Sequence, residues 1–85
     1  MLPHHQENGL VMYTTYGCGS CKALGRYLES HGVPFKAVNL SVHSNLSKPL
    51  LDETGLQMVP QVFFRGRLLG GYNEVVAAHK NGQLR

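Results

Sequence analysis

An α/β fold is predicted: a four-stranded mixed sheet flanked by three helices, in the order β-α-β-α-β-β-α. Three observations in the 85 residues predict it. First, the β-forming run Leu10–Thr14 is followed by apolar residues at helical spacing and then by a second strand-like run over residues 35–40. Two strands joined through a helix run parallel, with a right-handed crossover. Second, the strand-like runs at residues 61–64 and 67–69 are separated only by Arg65-Gly66. That connection is too short for anything but an antiparallel hairpin. Third, the only two cysteines form Cys18-Gly19-Ser20-Cys21, at the point where strand one gives way to helix one.

Each element has its own signature. Residues 1–9 are mostly polar, carry His4 and His5, and read as a flexible lead-in; the domain is expected over residues 10–85. Strand one is continuously apolar or β-forming, as expected for a strand covered on both faces. Helix one is expected from Gly19 or Ser20 to His31, with Ala23, Leu24, Tyr27 and Leu28 as its apolar face. Gly32 is its C-cap candidate and Val33-Pro34 its stop. Gly25 inside the helix costs stability, and a close packing contact is the expected reason for it. Strand two covers residues 35–40, and residues 41–44 form a loop. Helix two covers roughly residues 45–54. Because proline belongs in a first turn, Pro49 allows a start as late as Ser47, which would then act as N-cap. Strands three and four flank the Arg65-Gly66 turn, which Arg65 and Arg67 decorate. Gly70-Gly71 leads into helix three over residues 74–80, with Asn73 as N-cap and Asn81-Gly82 as the stop. Phe63, Phe64, Val75 and Val76 are expected in the core, and His79 in a structural role.

Composition narrows the function. Eight Lys and Arg are scattered among five Asp and Glu, giving a formal charge of +3 without a run of like charge. This implies mild attraction for anionic partners and no nucleic-acid footprint. A chain of this size forms one domain and buries only about 60% of its unfolded surface. No apolar run approaches the roughly 20 residues that span a bilayer. The first residues lack the charged-then-apolar pattern of a signal peptide. A monomer in a cytoplasmic, reducing setting, with no membrane partner, is therefore expected.

The cysteine pair carries the chemistry. A sulfur at a helix N-terminus faces unpaired backbone N–H groups and the positive end of the helix dipole. Both favour thiolate, the attacking species in disulfide exchange. The second thiol, within one turn, can close a disulfide without rearranging the fold. A purely structural disulfide is disfavoured, because so short a loop removes little unfolded-state entropy. A structural zinc site needs about four protein ligands, and no C-x-x-C…H-x-x-x-H spacing follows; no metal site is expected. His4 and His5 could bind metal adventitiously, but a disordered N-terminus is the simpler account of them. A C-x-x-C beside a β-α-β pattern is thus read as a redox dithiol.

Beyond the dithiol, residues 11–84 resemble a glutaredoxin of the thioredoxin superfamily, dithiol type. Tyr13-Thr14 before Cys18-Gly19-Ser20-Cys21 matches that family's first strand and active-site turn. Met58-Val59-Pro60-Gln61-Val62-Phe63-Phe64 resembles its T-V-P-x-V-F-I segment, and Gly70-Gly71-Tyr72-Asn73 its G-G-[FYS]-D segment. The resemblance implies a thioredoxin-like fold and a glutathione-linked thiol–disulfide oxidoreductase acting on protein and glutathione-mixed disulfides. Cys18 would be the nucleophile and Cys21 the resolving thiol. Pro60 would be a cis-proline facing them, leaving Val59 backbone groups to pair with an extended peptide like an added strand. Glutathione, a co-substrate and not a tightly bound cofactor, would lie against Tyr16, Cys18, Val59, Pro60, Gly71, Tyr72 and Asn73. Its carboxylate would meet N–H groups at the start of helix three.

Departures from the pattern keep other readings open. Gly19 stands where many relatives have proline, Thr15 where many have a lysine that pairs with a glutathione carboxylate, Met58 for threonine and Asn73 for aspartate. Lys22 and Gln57 are candidate replacements for the carboxylate contact; a solvated surface role is the simpler reading of each. The missing lysine fits an electron donor reduced by thioredoxin reductase, serving for instance ribonucleotide reductase. Gly19 fits a carrier of a [2Fe–2S] cluster held between two subunits, although Cys21 favours redox work.

Overall fold

A computed structural model describes residues 1–84; Arg85, the last residue of the expected domain, lies outside them. Four strands form one sheet, β1 (Leu10–Thr14), β2 (Phe35–Asn39), β3 (Gln61–Phe64) and β4 (Arg67–Gly70). Three helices join or follow them: α1 (Gly19–Ser30), α2 (Ser47–Thr54) and α3 (Tyr72–Lys80). The sheet order is β2-β1-β3-β4. β1 runs parallel to β2, with Leu10 opposite Phe35, and antiparallel to β3, with Tyr13 opposite Gln61. β3 and β4 form the expected hairpin, turning through Arg65 (φ 53°) and Gly66 (φ 79°). Two successive positive φ values are those of a type I′ turn, whose twist matches the flanking strands. No helix of the described residues is long and apolar enough to cross a membrane.

Alternation along β1 builds two cores. Leu10 and Met12 face Leu24 and Leu28 of α1 and Val75 of α3, together with Val62. Val11 and Tyr13 point the other way, against Leu50 of α2, Val38 and Phe63. Phe63 and Val75 are buried as expected, while Phe64 and Val76 are half-buried at the edge of the first core. His79 takes the expected structural role: its Nδ1 lies 2.8 Å from the Tyr27 hydroxyl, tying α3 to α1.

Helix ends follow local chemistry. α1 closes in a Schellman motif: Val33 N–H donates to the Leu28 carbonyl and Gly32 N–H to that of Glu29, with Gly32 at φ 67°. α3 closes the same way at Gly82. Three expectations need correction here. Ser47 is the first residue of α2 and not its N-cap, because a 3-10 turn at Ser44–Leu46 runs directly into it; Pro49 still falls in the first turn. Asn73 is not the N-cap of α3. The helix starts two residues earlier than expected, with Gly71 as N-cap, and Glu74 Oε1 accepts the Gly71 N–H at 2.8 Å. That is the return half of a capping box, the glycine having no side chain for the other half. Ala23 is exposed, so the buried stripe of α1 is Cys21, Leu24, Gly25 and Leu28.

The largest correction concerns the lead-in. Residues 1–9 are not a loose tail. Leu2 is 5% exposed and joins the Val11–Tyr13 core; His4, in a 3-10 turn at Pro3–His5, is fully buried. The physical reason is coverage. α2 has only eight residues and buries only Leu50, so that face of the sheet needs a second cover. The His4 ring stacks on Phe63 with centroids 3.6 Å apart, and its Nδ1 lies 2.8 Å from the Tyr13 hydroxyl.

Candidate active site

The sheet register gathers the dithiol and the Val59-Pro60 segment at one end. β1 delivers its C-terminal end into the turn that carries Cys18; antiparallel β3 begins beside it, since Gln61 pairs with Tyr13. Gly70, at the end of β4, pairs with Val62, so α3 starts from the same end of the sheet.

Cys18 is the N-cap of α1, and Cys21 lies in the helix's first turn. The two sulfurs are joined in a disulfide, with Cα atoms 5.3 Å apart. Cys18 Sγ accepts the Cys21 backbone N–H at 3.1 Å and sits 3.6 Å from Ser20 Oγ. A sulfur takes here the place usually held by a capping oxygen, so the helix's free N–H groups serve the reacting atom. The two cysteines differ in access: Cys18 is half-buried, Cys21 only 5% exposed. Cys18 is thus the more accessible sulfur, and Cys21 lies behind it in the first turn.

Two open clefts flank this turn and share Thr15. One, of about 500 Å³, runs along α1 past Tyr16, Cys18, Cys21, Lys22 and Arg26. The other, of about 530 Å³, runs toward α2 past Leu50, Leu56, Gln57, Met58 and Val59. Lys22 and Gln57 thus stand in separate clefts. Tyr16 is 72% exposed, its backbone N–H held by Ser41 Oγ at 3.1 Å. Val59-Pro60 is cis, as the resemblance implies, with Val59 half-buried and Pro60 buried. Gly71 is buried against the same segment: a Cβ there would stand 2.8 Å from Met58 Cε and 3.5 Å from the Pro60 carbonyl oxygen. Tyr72 packs against the α1–α3 core, and Asn73 is exposed. Gly71, Tyr72 and Asn73 line neither cleft.

Two supporting residues escaped the sequence reading. Gln61, read only as strand, is 1% exposed; its Nε2 donates to the Met58 carbonyl at 3.3 Å and holds the segment leading into Val59. Nothing local announces that role. Glu74 secures the Gly71 N–H, and its place three residues after a glycine N-cap is a readable signal.

The family model for glutaredoxin matches residues 10–69, which include the dithiol and Val59-Pro60 but stop short of Gly71 to Asn73. This chain belongs to the glutaredoxin family. A glutaredoxin of Ricinus communis is 32% identical over 81 residues, covering 92% of this chain and 79% of the relative. Glutaredoxin-C4, chloroplastic, of Oryza sativa subsp. japonica is 36% identical over 78 residues, covering 88% of this chain; this chain spans 59% of that relative's length. Among solved structures, the buckwheat glutaredoxin–glutathione complex superposes with a TM-score of 0.76 at 30% identity, covering 91% of this chain and 73% of the other. The holo form of glutaredoxin C1 from Populus tremula x tremuloides gives 0.78 at 31% identity, covering 95% and 82%. The expected thioredoxin-like fold is thus the observed one. This glutaredoxin domain carries a thiol–disulfide oxidoreductase centre at Cys18 and Cys21.

Proposed function

We propose that this glutaredoxin is glutathione-linked and reduces both glutathione-mixed disulfides and protein disulfides. The observation that carries the reading is the asymmetry of the pair, a helix-capping Cys18 that substrate can reach and a buried Cys21 behind it. In the reduced protein the Cys18 thiolate attacks the glutathione sulfur of a mixed disulfide. A Cys18–glutathione disulfide forms, and the substrate leaves as a thiolate that takes up a proton. A second glutathione thiolate then attacks the bound glutathione sulfur, releasing oxidised glutathione and restoring the Cys18 thiolate. With a protein disulfide, Cys18 bonds to one substrate sulfur and expels the other. Cys21 next attacks Cys18, closes the intramolecular disulfide and frees the second substrate thiol. Two glutathione molecules reopen that disulfide and leave as oxidised glutathione.

Glutathione recognition is read from Val59, whose backbone is free to pair with an extended peptide, and from the start of α3. There Glu74 already occupies the Gly71 N–H. The N–H groups of Tyr72 and Asn73 remain for a ligand carboxylate. The solved buckwheat complex, a relative that holds glutathione, supports this. Thr15 offers no cation, so Lys22 or Gln57 would supply any further contact. A [2Fe–2S] cluster would need Cys18 as a free thiolate. Closure of the Cys18–Cys21 disulfide competes with that role. A cytoplasmic, reducing setting fits a dithiol that must be regenerated.

The test is a glutathione-dependent assay on a small glutathione-mixed disulfide. Cys18→Ser should abolish turnover. Cys21→Ser should keep it, lose protein-disulfide reduction and accumulate a Cys18–glutathione adduct visible by mass spectrometry. Should glutathione fail while NADPH with thioredoxin reductase reduces the oxidised protein, the reading passes to a thioredoxin-reductase-dependent donor.

A further inference from the structure

His4, His5 and Glu53 converge on the face of the molecule covered by the lead-in and α2. Glu53, near the end of α2, holds both histidines: His4 Nε2 lies 2.6 Å from Oε2 and His5 Nε2 2.7 Å from Oε1. One ligand atom from each of the three residues lies within 4.8 Å of the other two. We infer that these side chains form a binding site for a divalent transition-metal ion of the zinc class.

The donor set is two imidazoles and a carboxylate, the combination that binds zinc with a fourth position left to water. Tetrahedral zinc, with bonds of about 2.0–2.1 Å, places neighbouring ligand atoms about 3.3 Å apart. His4 and His5 rest on different oxygens of Glu53, and since the three ligand atoms lie within 4.8 Å of one another, closing on that spacing takes shifts of at most about 1.5 Å. The site is also held from behind. The His4 ring is clamped on Phe63, and its second nitrogen sits 2.8 Å from the Tyr13 hydroxyl. With metal on Nε2, the ring hydrogen resides on Nδ1 and donates to Tyr13 Oη. A ligand histidine is commonly oriented in this way by an outer partner. Access comes from the solvent side, where the His5 and Glu53 side chains are about one-third exposed. An ion here would cross-link the lead-in to α2, away from the sulfur chemistry. The two imidazole donors favour zinc, copper or nickel over calcium and magnesium.

Zinc titration of the oxidised protein tests this, because the closed Cys18–Cys21 disulfide offers no thiolate to compete. Calorimetry should show saturable binding of one zinc per chain, and cobalt(II) should give a visible spectrum without thiolate charge-transfer bands. His5→Ala and Glu53→Gln should each weaken zinc binding at least tenfold. His5 is exposed and fills no core space, so its variant retains the fold. Tyr13→Phe should weaken binding by roughly ten- to a hundredfold, as loss of an outer partner does. His31→Ala, which alters the separate His31–His79 ring pair (centroids 4.9 Å apart), should bind like the wild type. Absence of one-to-one binding, or undiminished affinity in both His5→Ala and Glu53→Gln, would overturn the assignment.

Discussion

Replacing His4 with alanine removes a side chain that the sequence assigns to a loose tail and the structure places in the core. The ring has no exposed surface, stacks on Phe63, and lies between the Tyr13 hydroxyl and Glu53. Its loss removes the Nδ1 partner of the fully buried Tyr13 hydroxyl, which keeps the residue 4 backbone N–H at 3.3 Å, costing about 0.5–1.5 kcal/mol. The lost ring stacking adds about 0.5–1.5 kcal/mol. Glu53 keeps His5 and adds little. The expected destabilisation is about 1–3 kcal/mol, which for a domain of this size lowers the melting temperature by roughly 5–25 °C. Urea denaturation followed by circular dichroism, with a chelator present, measures it without any contribution from metal. A cycle with Tyr13→Phe isolates the hydroxyl: the double variant should cost about 1 kcal/mol less than the sum of the two singles. A loss under about 0.5 kcal/mol, the range of surface substitutions, would refute the reasoning. So would strict additivity of the two variants.

Three further outcomes are expected. Burial holds the His4 imidazole below its ordinary 6.5, with the Glu53 carboxylate opposing that shift. The unfolded chain therefore binds the proton first, and stability should fall as pH drops below about 6.5; a His4→Phe variant should lack that part of the slope. Gly25→Ala should stabilise the protein by about 0.5–1 kcal/mol in thermal or urea unfolding. The close contact expected at Gly25 is absent: an added Cβ would meet Phe35 Cζ at an ordinary 3.6 Å. Unchanged or lower stability would show that the helix cannot accept the methyl group. Asn73→Asp should lower the KM for glutathione roughly fivefold, the worth of about 1 kcal/mol for a charge-assisted bond; an unchanged KM would remove Asn73 from the glutathione site.

What the sequence determined by itself was local. Strand and helix periodicity, the two-residue hairpin turn and the glycine stops need only neighbours along the chain, and every expected strand and helix formed, with the starts of α2 and α3 displaced. The dithiol was legible for the same reason: two cysteines three positions apart at a strand–helix junction fix their own geometry. Helix starts were less legible, because the Glu74 carboxylate outweighs Asn73 as a cap once Gly71 is pinned beneath Met58 and Pro60. Only the tertiary structure decided the fate of the lead-in. A polar stretch with two histidines carries no periodic signal. Its burial depends on an eight-residue helix, some forty positions later, being too short to cover Val11, Tyr13 and Phe63. The juxtaposition of His4 and His5 with Glu53 follows from that packing alone, across 49 positions of sequence between His4 and Glu53.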